Sequence, residues 1–278
     1  MSYPPNCFHR NGTPMRILPE SQELFVRGGG WQKAAGGFSF SDLLVTLGVL
    51  SLLFLLQISA SAHNKGNSHR AVCADNLRRL ALSWLMYADD NRGRLAPNCS
   101  DCFTNNWVAG WLDFTGGSDN TNLALIARAK LYPYNKSVEI YRCPDDLSTV
   151  RGQLRVRSYS MNAYVGDGTL GWSTGFQTTT DRSQIRQPDQ TFVFIEEHPD
   201  SINDGFFAVD MSARSAARIV DFPAAYHYYG ANLSFADGSA QFRQWVDART
   251  SPFRLNFGAP SPYNPDIAWL QSVSTYRN

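Results

Sequence analysis

Net charge of one sign is nearly absent from this sequence. Its 25 lysines and arginines stand against 24 acids, for a formal charge of +1. No global field therefore draws the chain to nucleic acid or anionic lipid. A His-Glu-x-x-His zinc pair is missing, and so are internal repeats and low-complexity tracts. Cysteine is scarce and unevenly spaced: Cys7, Cys73, Cys99, Cys102 and Cys143. Four-cysteine zinc sites come as two close pairs. Cys99 and Cys102 make one such pair, while Cys73 and Cys143 are far apart in sequence. Disulfides or structural thiols are expected over metal. If the chain is cut ahead of its apolar span, Cys7 is lost and four cysteines remain. Four suit an oxidising compartment and allow three pairings.

What is present starts with one long apolar run, FSFSDLLVTLGVLSLLFLLQISASA, from Phe38 to Ala62. At about 1.5 Å per residue, some 20 to 25 residues cross the roughly 30 Å hydrocarbon core. Residues 38–62 are expected as a transmembrane helix. A cleaved secretory signal fits less well, since its apolar region is shorter and nearer the N-terminus. Residues 1–33 mix Pro, Gly, Asn and charge without period and read as unstructured. Residues 1–37 hold Arg10, Arg16, Arg27 and Lys33 against Glu20 and Glu23, a net of +2 that leaves −1 for the rest. A basic flank keeps the N-terminus in the cytoplasm and sends the chain beyond the span across the membrane.

Beyond the span the period changes. Leu77, Leu80, Ala81, Trp84, Leu85 and Ala88 recur at helical spacing, with Arg78, Arg79, Ser83 and Asp90 elsewhere on the wheel. That is an amphipathic helix with one face packed on a domain. Asn91-Arg92-Gly93 is its stop signal. Gly66 and the polar stretch Asn64 to His69 mark a place for a bend. The whole element, 38–92, is expected as one long helix. Residues 93–278 are rich in Gly, Asn, Asp and aromatics, with short strand-like runs. A helix is expected over Asn122 to Leu131, capped by Asn120 or Thr121. Strands are expected over Ser158 to Val165 and Thr191 to Ile195. In NLSFADGSAQFRQWV two alternating runs flank Asp237-Gly238, which predicts a two-residue hairpin turn.

Several of these stretches carry a resemblance. Gly36-Gly37 followed by FSFSDLLVTLGVLSLLFLL resembles the N-terminus of type IV prepilins and type II secretion pseudopilins. CADNLRRLALSWLMYADDNRGRLAP, YRCPDD, SYSMNAYVG, EEHPDSINDG and HYYGANLSFADG resemble pilin-like proteins with an H-x9-DG motif, here His227, Asp237 and Gly238. The resemblance implies an α+β, pilin-like fold: a long N-terminal helix, its first half transmembrane, packed on a small antiparallel sheet. It implies a leader, 1–37, cut by a prepilin peptidase between Gly37 and Phe38, with N-methylation of Phe38. If Met15 is the true start, the leader is 15–37. Asp42 becomes the fifth mature residue, where the family normally has the longer Glu. Other pilin or pseudopilin subunits are the implied partners, and the implied location is the inner membrane with the domain in the periplasm.

Each residue also has a local reading. Glycine at position 37 lets a protease approach the backbone. Asp42 is costly in hydrocarbon unless partnered, by about 2.5–3.5 kcal/mol. In a filament the partner is a neighbouring subunit's terminal amine; otherwise Asp42 complements its own helix dipole. Thr46, Gly48 and Ser51 permit close helix packing. Glu196, Glu197, Asp200, Asn203 and Asp204 supply oxygens within nine residues. Glu197, Asp200, Asn203 and Asp204 make a candidate Ca²⁺ site. Their plainer role is in Asx and tight turns.

A structural filament subunit, not an enzyme, is the expected function. One competing reading is a membrane-anchored envelope protein that does not polymerise and binds a glycan or another envelope ligand through Trp107, Trp111, Trp172, Tyr228 and Tyr229. Another is a tethered hydrolase drawing on Glu197, His198, Ser201, His227 and Asp237.

Overall fold

The computed structural model describes residues 39–99, 105–113, 115–166 and 175–278. The expected leader, Gly37 and Phe38 lie outside that set. The chain divides into two units, one ending at Leu53 and one running from Phe54 to Asn278.

Helix α1 spans Phe40–Asp90, with no break at Asn64 to His69. In the first unit it opens with a reciprocal cap. Ser39 Oγ accepts from the Asp42 N–H at 3.2 Å, and Asp42 Oδ2 accepts from the Ser39 N–H at 2.9 Å. This is a capping box with Asp in place of Glu, and it satisfies two of the helix's orphan N–H groups. Thr46 and Ser51 turn their hydroxyls back to the carbonyls of Leu43 and Gly48, each at 2.9 Å. Every side chain from Ser39 to Phe54 is exposed. Among the described residues no helix is long and apolar enough to cross a membrane. Positions 55–62 of the expected span have side chains outside the described set.

In the second unit α1 is amphipathic. Cys73, Leu77, Leu80, Ala81, Trp84 and Ala88 have no exposed surface, and Leu85 packs beside them half-buried. Ser83, expected off this face, is buried too. Its hydroxyl donates to Arg79 O at 2.8 Å and accepts from Asn135 Nδ2 at 3.3 Å. The helix stops where Arg92 and Gly93 take positive φ, and the Gly93 N–H closes on Ala88 O at 2.8 Å.

The middle of the chain holds short pieces: α2 (Leu123–Ala127), α3 (Tyr132–Asn135), and a small ribbon of β1 (Thr149–Val150) with β2 (Gln153–Leu154). The helix expected over 122–131 is thus only five residues long. Its N-cap is Asn122, whose side chain accepts from the Ala124 N–H. The main sheet contains β3 (Tyr159–Asn162), β4 (Phe192–Glu196), β5 (Phe206–Phe207), β6 (Gly230–Phe235) and β7 (Ala240–Gln244), in the order β5-β3-β4-β6-β7. Its pairs are antiparallel except β3 with β5. The sheet is mixed, not wholly antiparallel as expected, because β5 returns through the 197–205 loop alongside β3.

Strands β3, β4 and β6 are buried at every position, so both sheet faces are covered. Trp84, Leu77 and Leu80 of α1 share one core with Met161 and Phe194. Ile195, Leu233 and Phe235 share the opposite core with Leu270 and Val273 of α4 (Pro265–Ser274). The Asn264 side chain accepts from the Asp266 and Ile267 N–H groups, and Pro265 takes the first turn. The β6–β7 turn is wider than the two-residue form. Gly238 alone has positive φ, its N–H bonds to Phe235 O, and Asp237 Oδ1 accepts from the Ser239 N–H. That is a three-residue loop with a left-handed glycine. A Cβ on Gly238 would meet Leu82 and Leu85 at 3.5 Å, so the turn rests on α1.

Candidate functional site

Beside the start of β6 lies a buried polar cluster. Glu196 ends β4, Asn232 sits on β6, and His227 ends the loop that leads into β6. Cys73 faces inward from α1, and Cys143 precedes the turn carrying Asp145 and Asp146. Glu196 and Cys143 are fully buried and His227 is 2% exposed.

Local backbone explains how His227 is held there. Tyr228 and Tyr229 both have positive φ, at 50° and 58°, a left-handed conformation that costs a non-glycine residue free energy. Gly230 follows, where a Cβ would lie 2.4 Å from Arg243 O. The Trp245 N–H bonds to Tyr229 O, and the Tyr229 hydroxyl bonds to Asp247 O. This reversal turns His227 into the core while Tyr228 stays 47% exposed.

The imidazole stands between two carboxylates. Nε2 is 3.2 Å from Glu196 Oε1 and 3.4 Å from Cys143 Sγ. Nδ1 is 3.0 Å from Asp145 Oδ2. That approach is off the line a ring N–H hydrogen bond needs, so the contact is electrostatic. His69 Nδ1 pairs with the other Asp145 oxygen. Glu196 Oε2 accepts from the Asn232 N–H at 2.7 Å. Alongside, Asp146 Oδ2 accepts from Ser158 Oγ at 2.6 Å, and Ser158 Oγ accepts from the Cys143 N–H at 3.1 Å. Burial, then the charge on Glu196, pushes the Tyr159 hydroxyl well above its ordinary range. Burial, then the charge on Asp146, does the same to Tyr226. Cys73 and Cys143 form a disulfide with Cα atoms 5.3 Å apart. Cys99 is also in a disulfide; Cys102 lies outside the described residues.

Among the described residues, the Ca²⁺ candidates Glu197, Asp200 and Asp204 do not make up a group of acids placed to hold an ion. Glu197 Oε1 accepts from Ser201 Oγ at 2.8 Å, and Asp200 is exposed. Asn203 Oδ1 accepts from the Asp204 N–H, and Asp204 Oδ1 from the Phe206 N–H. Two buried guanidiniums already serve the carbonyls of this loop. Arg155 bonds to Ile202 O at 3.0 Å, and Arg157 to Asp204 O at 2.5 Å. Burial lowers the Arg157 pKa to about 10. Burial, then the charge on Asp221, raises Glu197 well above the carboxylate range. Asp221 is pushed up to about 7, chiefly by burial.

Ser201 also accepts from the Phe222 N–H, so its hydroxyl ties loop to loop. His198 Nδ1 accepts from the Asp200 N–H. Trp107 is fully buried, with Nε1 donating to Gly205 O at 2.8 Å, so it belongs to the core and offers no binding platform. Trp172 lies outside the described residues. Gly171-Trp172-Ser173-Thr174-Gly175 has the letters of a nucleophile-turn motif, and its residues other than Gly175 lie outside them too.

The cluster includes residues that sequence spacing does not single out: His69, Asp145, Asp146, Ser158 and Asn232. Glu196 stands out in the sequence only as a neighbour of the acidic 197–204 loop. No family model, curated protein or solved structure matches the chain.

Proposed function

We propose that this chain is a structural subunit of a type IV pilus-like filament or type II secretion pseudopilus. A prepilin peptidase processes it after Gly37, and the inner membrane holds it through α1 before assembly. The supporting observation is the exposed apolar start of α1. From Phe40 to Phe54 the helix carries large apolar side chains on all sides, with Phe40 75% and Phe54 68% exposed. A helix apolar all round requires an apolar surrounding. In this reading the bilayer supplies it first and neighbouring subunit helices supply it later. Asp42 is the assembly contact. A neighbour's terminal amine approaches a carboxylate whose Oδ2 already accepts from Ser39, leaving the second oxygen for the incoming charge.

Mass spectrometry of the mature N-terminus tests the class. A chain beginning at methylated Phe38 is expected. An intact leader, or a cut beyond Ala60, rejects it.

An anchored envelope-binding protein is the second reading. It is favoured by a polar cleft of about 720 Å³ bordered by Tyr87, Asn91, Arg94, Asn105 and Asp181. Asp42→Ala separates the two. Cross-linked multimers disappear if the chain polymerises through Asp42 and persist unchanged if it only binds a ligand.

A further inference from the structure

Among the described residues, Cys73, Cys143, Glu196 and His227 are the group of His, Cys, Asp and Glu side chains placed to hold a metal ion. All four are buried, and their ligand atoms lie within 4.8 Å of one another. We propose that this is a redox-gated site: the disulfide is its closed state, and the reduced cysteines with His227 and Glu196 bind one Zn²⁺-class divalent cation. The inference concerns the domain alone and does not rest on the filament reading.

Two of the distances already suit a tetrahedral ion. With Zn–N and Zn–O near 2.0–2.1 Å and Zn–S near 2.3 Å, tetrahedral angles place N and O roughly 3.3 Å apart, and N and S roughly 3.6 Å apart. His227 Nε2 lies 3.2 Å from Glu196 Oε1 and 3.4 Å from Cys143 Sγ. The two sulfurs, bonded to each other in the disulfide, must separate to roughly 3.8 Å on the same geometry. Cleavage of their bond permits that movement.

The surroundings are those of a ligand site. Asp145 Oδ2 lies 3.0 Å from His227 Nδ1, an electrostatic contact that places a carboxylate beside the ring nitrogen left over when Nε2 binds a metal. Asp145 is in turn paired with His69. Asn232 holds the second Glu196 oxygen through its N–H. Four ligands from α1, the 143 turn, β4 and the 227 loop close the site to a fifth, which describes a structural ion and not a catalytic one.

The steps balance with a dithiol or phosphine reductant. Two electrons and two protons convert the disulfide to two thiols; a dithiol becomes a disulfide, or a phosphine takes oxygen from water, whose two protons go to the thiols, and becomes a phosphine oxide. Metal binding then releases the two thiol protons to solvent. The ligands are two thiolates, one carboxylate and a neutral imidazole, so the filled site carries a charge of −1.

The test uses the full chain in detergent. It is reduced with a phosphine, desalted without oxygen and titrated with Co²⁺ as a spectroscopic stand-in. One equivalent is expected, with thiolate-to-cobalt charge-transfer bands and the strong visible bands of tetrahedral Co²⁺, lost when Zn²⁺ is added. The oxidised chain shows neither. His227→Ala is expected to weaken binding by more than about tenfold, and Asp145→Asn by about 10- to 100-fold. Any of three titration results overturns the proposal: no stoichiometric binding by reduced, folded chain; unchanged affinity in both His227→Ala and Glu196→Gln; or octahedral Co²⁺ without charge transfer. Reduction is repeated with Zn²⁺ present and followed by circular dichroism. Unfolding both with and without the ion also overturns it.

Discussion

Along α1, residues 40–54 and residues 73–88 follow opposite rules of burial. In the first stretch every side chain is exposed although most are apolar. In the second, apolar side chains spaced at three and four residues vanish into a core while Arg78, Arg79 and Asp89 stay outside. Both stretches belong to one continuous helix, so backbone hydrogen bonding does not explain the difference. What differs is whether the sequence encodes one face or none. A stripe specifies which side meets the sheet; an unbroken apolar surface specifies only that water must be absent. Polar groups follow the same division. The first stretch has a single acid, at its cap. The domain buries Glu196, Glu197, Asp204 and Asp266 among hydrogen-bond donors.

The largest effect expected on this contrast comes from removing the stripe's centre. Trp84 has no exposed surface and lies in the core with Leu80, Phe194 and Tyr141. Trp84→Ala is expected to cost about 3–5 kcal/mol through lost burial and the cavity left behind. Urea unfolding of the domain measures it. Trp84→Phe is expected to cost far less, because among the described residues the Trp84 Nε1–H has no hydrogen-bond partner to lose. Equal losses in the two variants would show that the tryptophan is not held by packing.

The stripe was legible because six residues repeat at one period, and the β6–β7 hairpin because two alternating runs flank Asp237-Gly238. The cluster was not legible in that way. His69, Cys73, Cys143, Asp145, Glu196, His227 and Asn232 come from separated segments, and no local period joins them. A trace was present all the same. CADN, YRCPDD, EEHP and HYYGAN each place at least one residue in the cluster. Stretches that resembled a family one by one converge on a single buried point. Helix α4 was missed although Asn264-Pro265 is a cap followed by a first-turn proline. Arg155 and Arg157, whose guanidiniums reach the loop of the candidate Ca²⁺ residues from the approach to β3, carry no local sign of that role in the sequence.

A second, smaller effect tests the buried charge of the domain. Burial raises the Asp221 carboxyl to about 7, while the Ala208 N–H, 2.6 Å away, partly offsets it. The folded state therefore holds a proton that the unfolded chain loses near pH 4. With more protons bound in the folded state, stability falls as pH rises from about 4 to about 7, and levels above that. The raised Glu197 contributes with the same sign. Asp221→Asn keeps an acceptor for Ala208 and removes the titration. Its urea midpoint should fall less between pH 5 and pH 7 than that of the parent chain. Parallel slopes would mean that Asp221 titrates normally. Because Asp221 keeps partial access to water, the effect should be smaller than that of the tryptophan cavity.

The smallest effect on stability is expected in the bare half of α1, and there it is the most informative. Leu47 is 54% exposed. Leu47→Ala should leave the domain's urea midpoint within about 0.5 kcal/mol of the parent value, as exposed substitutions usually do. Alanine also keeps the helix, having the higher helix propensity. If the apolar surface exists to be covered by copies of itself, the same change removes part of each helix–helix contact. The loss then repeats at every subunit along a filament. Cross-linked multimers should therefore shorten while the monomer unfolds unchanged. A loss of domain stability comparable to that of Trp84→Ala would place Leu47 in the domain's own fold and end the contrast between the two halves. Unchanged multimers with unchanged stability would leave the bilayer as the only partner this surface has.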